Sequence, residues 1–363
     1  MTVVESAPRS ARSAAFHTLT VAAVEQLCDD AVAVTFDVPP GLVEQYAFEP
    51  GQSLTVRRTV KGREERRSYS ICAPAGARPR IGVREIPDGL FSSWLVRQVR
   101  PGDQIDVQVP TGTFKADPAA GGRHLCIAAG SGITPMMSIT SSLLTHGDAE
   151  VALLYGNRTS GSVMFAEELG DLKNSYGSRL QLVHVLSREP RDVELFSGRL
   201  DGDRIRRIIQ ALIPVEHFDD IWLCGPFAMI NDAREVLVDL GVNPERIHFE
   251  LFYVDKPPPE LKRESSPVST GATTEVTIVL DGLAATAAMP QDQSILDAAQ
   301  ASRSDLPFAC KGGVCGTCRA KVTDGEVDMR RNYALEATEV EASFVLTCQS
   351  YPVGDRVTVD FDA

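Results

Sequence analysis

Four cysteines fall within 39 residues near the end of the chain, as Cys310-Lys-Gly-Gly-Val-Cys315-Gly-Thr-Cys318 and then Cys348 in Val-Leu-Thr-Cys-Gln. Thiolates bind soft metals, and C-x4-C-x2-C with a distant fourth cysteine is the plant-type spacing for a [2Fe-2S] cluster. A structural zinc site usually pairs two C-x2-C knuckles, and only one is present here. Gly312, Gly313 and Gly316 let backbone amides approach the sulfurs, where hydrogen bonds help set the potential. The other four cysteines, Cys28, Cys72, Cys126 and Cys224, are scattered through apolar runs and read as buried thiols.

Four further stretches carry chemistry. Arg67-Ser68-Tyr69-Ser70 offers a guanidinium that forks onto phosphate and an aromatic face that covers a flat ring. Alone, that tetrad also fits an edge strand with an exposed arginine. Gly89-Leu90-Phe91-Ser92 opens a predicted helix (SSWLVRQV) whose N-terminal amides suit an anion, although an ordinary capped helix looks the same. Gly130-Ser131-Gly132-Ile133-Thr134-Pro135 stands between an apolar strand and a helix, the arrangement that cradles a dinucleotide phosphate, with proline in place of the usual third glycine. Cys224-Gly225-Pro226 ends another apolar strand, at the carboxyl edge where α/β sheets bind ligands.

Arg158 in YGNRT and Ser187-Arg188 in LSRE lie just past neighbouring strands. An arginine there can pair a 2'-phosphate and so favours NADPH. Glu250 and Phe252 in FELF end the last strand of the series. His17, His124 and His248 show no ligand spacing and read as structural.

The elements that must position these residues fall into three blocks. From Phe16 to about Phe114, short strands alternate with turns. Val32, Val34, Phe36 and Val38 alternate with Ala33, Thr35 and Asp37, which places one face on a core, and Pro/Gly clusters punctuate the run. An antiparallel β-barrel is expected. From about Gly121, the apolar runs LCIAA, VALLY, LQLVHVL, DIWLC and IHFELF alternate with amphipathic segments, among them Phe227, Ile230, Ala233, Leu237 and Leu240 at helical spacing. Strands buried on both faces look like this, so a doubly wound α/β domain is expected. Residues 256–271 (KPPPELKRESSPVSTG) have linker composition. The last block has strands near TEVTIVL, 284–289, VLTCQ and VTVDF, with a helix from Ser294 to about Ser302, as in a small mixed sheet gripping a helix.

With the cluster motif beside it, the Arg67 tetrad resembles the ferredoxin-NADP reductase family. There the arginine binds the flavin pyrophosphate, the tyrosine stacks on the isoalloxazine and the serine contacts the flavin near N5. Residues Gly89 to Ser92 match that family's second flavin stretch, and the proline of the Gly130 loop is its form of the phosphate loop. The C-G-P-x-x-M run from Cys224 to Met229 is similar to the loop where nicotinamide meets flavin, with no covalent role for Cys224. Ser187 and Arg188 are similar to its 2'-phosphate clamp, and Glu250 and Phe252 match residues that lie against the flavin.

The resemblance implies residues 1–15 as a flexible N-terminus, 16–116 as an FAD-binding β-barrel and 117–255 as an NAD(P)-binding domain. It implies 256–272 as a linker and 273–363 as a β-grasp ferredoxin domain. This order of domains resembles the reductase components of multicomponent oxygenases, in particular those of ring 1,2-epoxidase systems, which deliver electrons from NADPH to a separate di-iron oxygenase. FAD rather than FMN rests on the same resemblance. Steroid hydroxylase or ring-hydroxylating dioxygenase reductases share the pattern. A non-enzymatic iron–sulfur carrier or redox sensor would need the flavin motifs to have decayed, and they are intact.

Composition narrows the partners. The 363 residues are 43% hydrophobic and 23% charged, ordinary for a multidomain globular chain. A net charge of −13 argues against a nucleic-acid surface. From Gly271 onward there are 14 Asp/Glu against 7 Lys/Arg, so the terminal block is the more acidic. No apolar run is long enough to span a bilayer, and the first residues lack a secretory core; a cytoplasmic protein is expected.

Overall fold

The computed structural model describes residues 16–60, 63–87, 89, 91–253, 272–300, 306–308, 310–335 and 337–363. The expected N-terminal segment, Leu90 and all of the expected linker but residue 272 lie outside them.

The first block forms β1 (Phe16–Cys28), β2 (Ala31–Asp37), β3 (Ser53–Val60), β4 (Arg63–Ser70) and β5 (Arg80–Arg84), then α1 (Ser92–Arg97) and β6 (Gln104–Gln108). The strands run in the order β4-β3-β6-β1-β2-β5, and an antiparallel bridge between Ile71 and Ile81 joins the two ends, closing the barrel. Closure removes the exposed edges that a free sheet would present. Val32, Val34 and Phe36 point into the barrel core, as their alternation requires. The opposite face is buried too. Ala31 and Ala33 pack into the core of the next domain, which explains why residues this small occupy it.

The second block contains β7 (Arg123–Ala129), α2 (Ile133–His146), β8 (Glu150–Asn157), α3 (Ala166–Tyr176), β9 (Leu180–Leu186), α4 (Gly202–Leu212), β10 (Asp220–Pro226), α5 (Phe227–Asp239) and β11 (Ile247–Tyr253). All five strands are parallel, in the order β11-β10-β7-β8-β9. The stripe of α5 centres on Ile230, Ala233 and Leu237, with Met229 and Val236 buried beside them rather than Phe227 and Leu240. Helix α2 is buried on nearly every side. One side meets the sheet; on the other, Ser138 Oγ donates to the Ala73 carbonyl at 2.6 Å and Ser142 Oγ accepts from the Ala75 amide at 2.9 Å. Those serines satisfy barrel backbone groups that would otherwise be buried unpaired.

The third block comprises β12 (Thr273–Leu280), β13 (Leu283–Pro290), α6 (Ile295–Ala299), β14 (Arg319–Met329), α7 (Ala337–Glu341), β15 (Phe344–Leu346) and β16 (Ser350–Asp360). Its mixed sheet has the order β13-β12-β16-β14-β15, with β12 and β16 parallel. Ser294 caps α6 by accepting from the Asp297 amide at 3.2 Å. Described helix ends at Ala299, shorter than the expected span. Val276, Ile295, Leu296, Leu346, Val357 and Val359 belong to one core of this block.

Candidate active site

Three side chains meet where the barrel and the nucleotide domain join. Ser70, buried at the end of β4, donates its hydroxyl to Glu250 Oε2 at 3.0 Å. Glu250 stands on β11 in register with Cys224 on β10, so both lie near the carboxyl ends of parallel strands. Burial pushes the Glu250 carboxyl up to about 7, while the Ser70 hydrogen bond pulls it down. The Cys224 thiol is pushed up by burial and then by the Glu250 charge, so it stays protonated at neutral pH and is a poor nucleophile. Phe252 is half-buried against the nucleotide-domain core.

On the same strand as Ser70, Tyr69 is half-buried against the barrel core, and Arg67 donates Nη1 to the Arg66 carbonyl at 2.6 Å. Ser68 lies between them on β4. Arginine, aromatic ring and hydroxyl on one strand suit a flavin's pyrophosphate, ring and polar edge. The Gly89 stretch is built for packing as much as for an anion. Phe91 is buried in the barrel core, and the Ser92 hydroxyl accepts from the Ile86 amide at 3.0 Å. Helix α1 has six residues.

The Gly130 loop is a single turn, residues 130–132, leading directly into α2. Gly130 has φ +57°, and a Cβ at Gly132 would collide with the Cys224 carbonyl. Glycine is therefore favoured at Gly130 by its backbone conformation and at Gly132 by the close approach of the β10 backbone. Thr134 donates to the Ser131 carbonyl at 3.0 Å, Tyr155 to the Gly130 carbonyl at 3.0 Å, and Pro135 is buried in the first turn of α2. Gly225 and Pro226 complete β10 next to this loop.

Arg158 and Arg188 sit in adjacent loops, linked by a backbone hydrogen bond from the Arg188 amide to the Arg158 carbonyl at 2.8 Å. Ser187 is exposed, with its amide bonded to the Asn157 carbonyl at 2.9 Å. Arg188 is exposed too. Arg158 differs: its Nη2 donates to Asp30 Oδ2 at 2.9 Å.

In the third block the cysteines stand as two interacting pairs, Cys310 with Cys315 and Cys318 with Cys348. The Cys310 sulfur accepts from the amides of Gly312, Val314 and Cys315 at 3.3, 3.5 and 3.4 Å. The Cys315 thiol and these amides hold Cys310 well below the usual thiol range against its burial. Cys348 is lowered by Cys318, and Gln349 Nε2 approaches its sulfur at 3.6 Å. Among the described residues no three ligating side chains surround one point. Four cysteine sulfurs, however, are the donor set that a cluster of two irons takes.

Comparison with known proteins reads the same three blocks. Residues 18–116 match the oxidoreductase FAD-binding domain, 126–235 the oxidoreductase NAD-binding domain and 278–353 the 2Fe-2S iron-sulfur cluster binding domain. The chain is 44% identical to a component of the 1,2-phenylacetyl-CoA epoxidase of Escherichia coli (strain K12), over 96% of this chain and 98% of that one. The chain belongs to the ferredoxin-NADP reductase family, with a C-terminal ferredoxin domain. This reductase is also 33% identical to the ferredoxin reductase component of 3-ketosteroid-9-alpha-monooxygenase of Rhodococcus rhodochrous, over 99% and 100% of the two chains. In fold it is similar to phthalate dioxygenase reductase, with a TM-score of 0.60 over 95% of this chain and 98% of that one, at 22% identity. The reductase is an oxidoreductase that uses FAD, NAD(P)H and a [2Fe-2S] cluster.

Some contacts were not visible in sequence. Arg67, Tyr69, Ser70, the glycine loop and the cysteines announce themselves by type and spacing, whereas the partnership of Ser70 with Glu250 does not. Asp30 and the Val314 and Cys315 amides carry no signature of their own. Among the described residues of the reductase no helix is long and apolar enough to cross a membrane.

Proposed function

We propose that this protein is the cytoplasmic reductase of a phenylacetyl-CoA epoxidase system, taking electrons from NADPH and delivering them to a di-iron oxygenase. The observation that carries this reading is the 44% identity that runs end to end, through all three domains, with the E. coli epoxidase component. When bound, FAD would supply hydride acceptance from NADPH and the [2Fe-2S] cluster one-electron transfer onward.

The chain's own residues orient and tune. Arg67 holds the flavin pyrophosphate, together with Ser68 and the Gly89 to Ser92 turn; Tyr69 covers the flavin ring and Ser70 meets its polar edge. Phe252 excludes water from the opposite side. The Gly130 loop, with Gly132, Thr134 and Pro135, seats the nucleotide phosphates, and Gly225 and Pro226 position the nicotinamide end. Arg158, Ser187 and Arg188 receive the 2'-phosphate. Glu250, poised near neutrality, holds a proton that Ser70 Oγ can exchange with it across 3.0 Å. Cys310, Cys315, Cys318 and Cys348 would hold the [2Fe-2S] cluster.

Reconstitution tests the proposal. Purified reductase mixed with the phenylacetyl-CoA epoxidase oxygenase component should oxidise NADPH in step with phenylacetyl-CoA consumed. Coupling to a steroid monooxygenase but not to the epoxidase would reject it.

A further inference from the structure

Asp30 lies in the tight turn between β1 and β2 of the flavin barrel, yet its carboxylate reaches the nucleotide domain. Its Oδ2 accepts from Arg158 Nη2 at 2.9 Å, and its Oδ1 faces Arg84 Nε at 3.1 Å. Arg84, on β5, also donates Nη2 to the Ser162 carbonyl at 2.5 Å, and its Nη1 is 3.4 Å from where a Cβ on Gly130 would stand. One barrel carboxylate thus engages two guanidiniums, that of Arg84 on the barrel's own β5, beside the glycine loop, and that of Arg158, just past β8 of the nucleotide domain. Arg188, exposed next to Arg158, has no side-chain partner among the described residues.

A carboxylate bonded to a guanidinium occupies the same N–H donors that a phosphate would use, since both anions match that fork. A 2'-phosphate carries more charge and wins, but only after Arg158 leaves Asp30. A nucleotide without that phosphate leaves the pair intact. We infer that Asp30 is a specificity-determining residue, an internal anion that competes with the 2'-phosphate for Arg158 and so narrows the preference for NADPH over NADH. The inference rests on the proposed 2'-phosphate role of Arg158. The rival reading is that Asp30 only fastens the barrel to the nucleotide domain, in which case both nucleotides respond alike to its loss.

The test uses full-length holoenzyme as wild type, Asp30→Asn and Asp30→Glu. Dissociation constants are measured for NADP+ and NAD+ by flavin difference absorbance, and inhibition constants for 2',5'-ADP and 5'-AMP. In Asp30→Asn, NADP+ and 2',5'-ADP should tighten about three- to five-fold, the worth of one partly exposed ion pair. NAD+ and 5'-AMP should move by less than about 1.5-fold on the same scale, and Asp30→Glu should stay near wild type. Equal shifts for both nucleotides assign domain fastening and overturn the inference. A wild type that prefers 2',5'-ADP, with Asp30→Asn binding unchanged, overturns the Asp30 role alone. A wild type that binds 2',5'-ADP no tighter than 5'-AMP overturns the NADPH reading and this inference together.

Discussion

Ser70 Oγ and Glu250 Oε2 meet at 3.0 Å although 180 residues of chain separate them. The contact ties the end of a barrel strand to the end of a nucleotide-domain strand, at the junction where a flavin and a nicotinamide would face each other. Its consequence is electrostatic. Burial raises the Glu250 carboxyl from the ordinary 4.5 to about 7, and the serine limits that rise.

Stability should record this as a pH dependence. The folded protein keeps a proton on Glu250 that the unfolded chain releases near pH 4.5, so this group's contribution is fully present below 4.5. It is lost as pH climbs to about 7 and is flat above. The shift corresponds to roughly 3 kcal/mol before discounting for the water that reaches the half-buried side chain. Glu250→Gln should therefore gain about 1–2 kcal/mol over wild type at pH 8.5 and almost nothing near pH 4.5. Thermal melts of both proteins across that range check it; a pH-independent difference would contradict it.

Removing the donor should act in the opposite sense on the proton. Ser70→Ala deletes the hydrogen bond that lowers Glu250, so the ionisation seen in the pH profile of flavin reduction should move upward. The rate should fall about ten-fold, the worth of one hydrogen bond to a charged group. Stopped-flow reduction of the flavin against pH gives both quantities, and an unshifted profile would remove Glu250 from the proton path.

The two nucleotide arginines should not be equal. Arg188→Ala should raise the KM for NADPH by about ten-fold or more, the worth of one charge-assisted contact. The KM for NADH should change by less than about two-fold. Arg158→Ala should have the smaller effect, because Asp30 already engages its guanidinium. Steady-state kinetics with both nucleotides settle the order.

Replacing one thiolate should cut the exit route only. Cys315→Ser should abolish the iron–sulfur absorbance and cytochrome c reduction, while NADPH-driven ferricyanide reduction through the flavin persists. If both activities vanish with flavin still bound, the order of electron flow is wrong.

Truncation after Val254 should leave a soluble flavin reductase that still reduces ferricyanide. Among the described residues, the barrel and nucleotide-domain cores contain none beyond Phe252, and the ferredoxin core none before Val276. An aggregated or flavin-free product would show that the cores depend on one another.

Where function is local in the chain, the sequence by itself determined it. Cysteines at fixed short spacing, an Arg-x-Tyr-Ser strand and a glycine turn between strand and helix carry their chemistry within a few residues. Each of those stretches offers its chemistry before any fold is known. Periodicity likewise placed the five parallel strands, because a strand buried on both faces must be apolar throughout. Only the tertiary structure decided the contacts between distant segments. The alternation in β2 implied one buried face, and the second is buried because the nucleotide domain covers Ala31 and Ala33. Asp30 belongs to no motif, and only the fold sets it 2.9 Å from Arg158, 128 residues away. Ser70 and Glu250 were each visible as candidates, but a hydrogen bond depends on where two strands end in space, and sequence spacing carries no record of that distance.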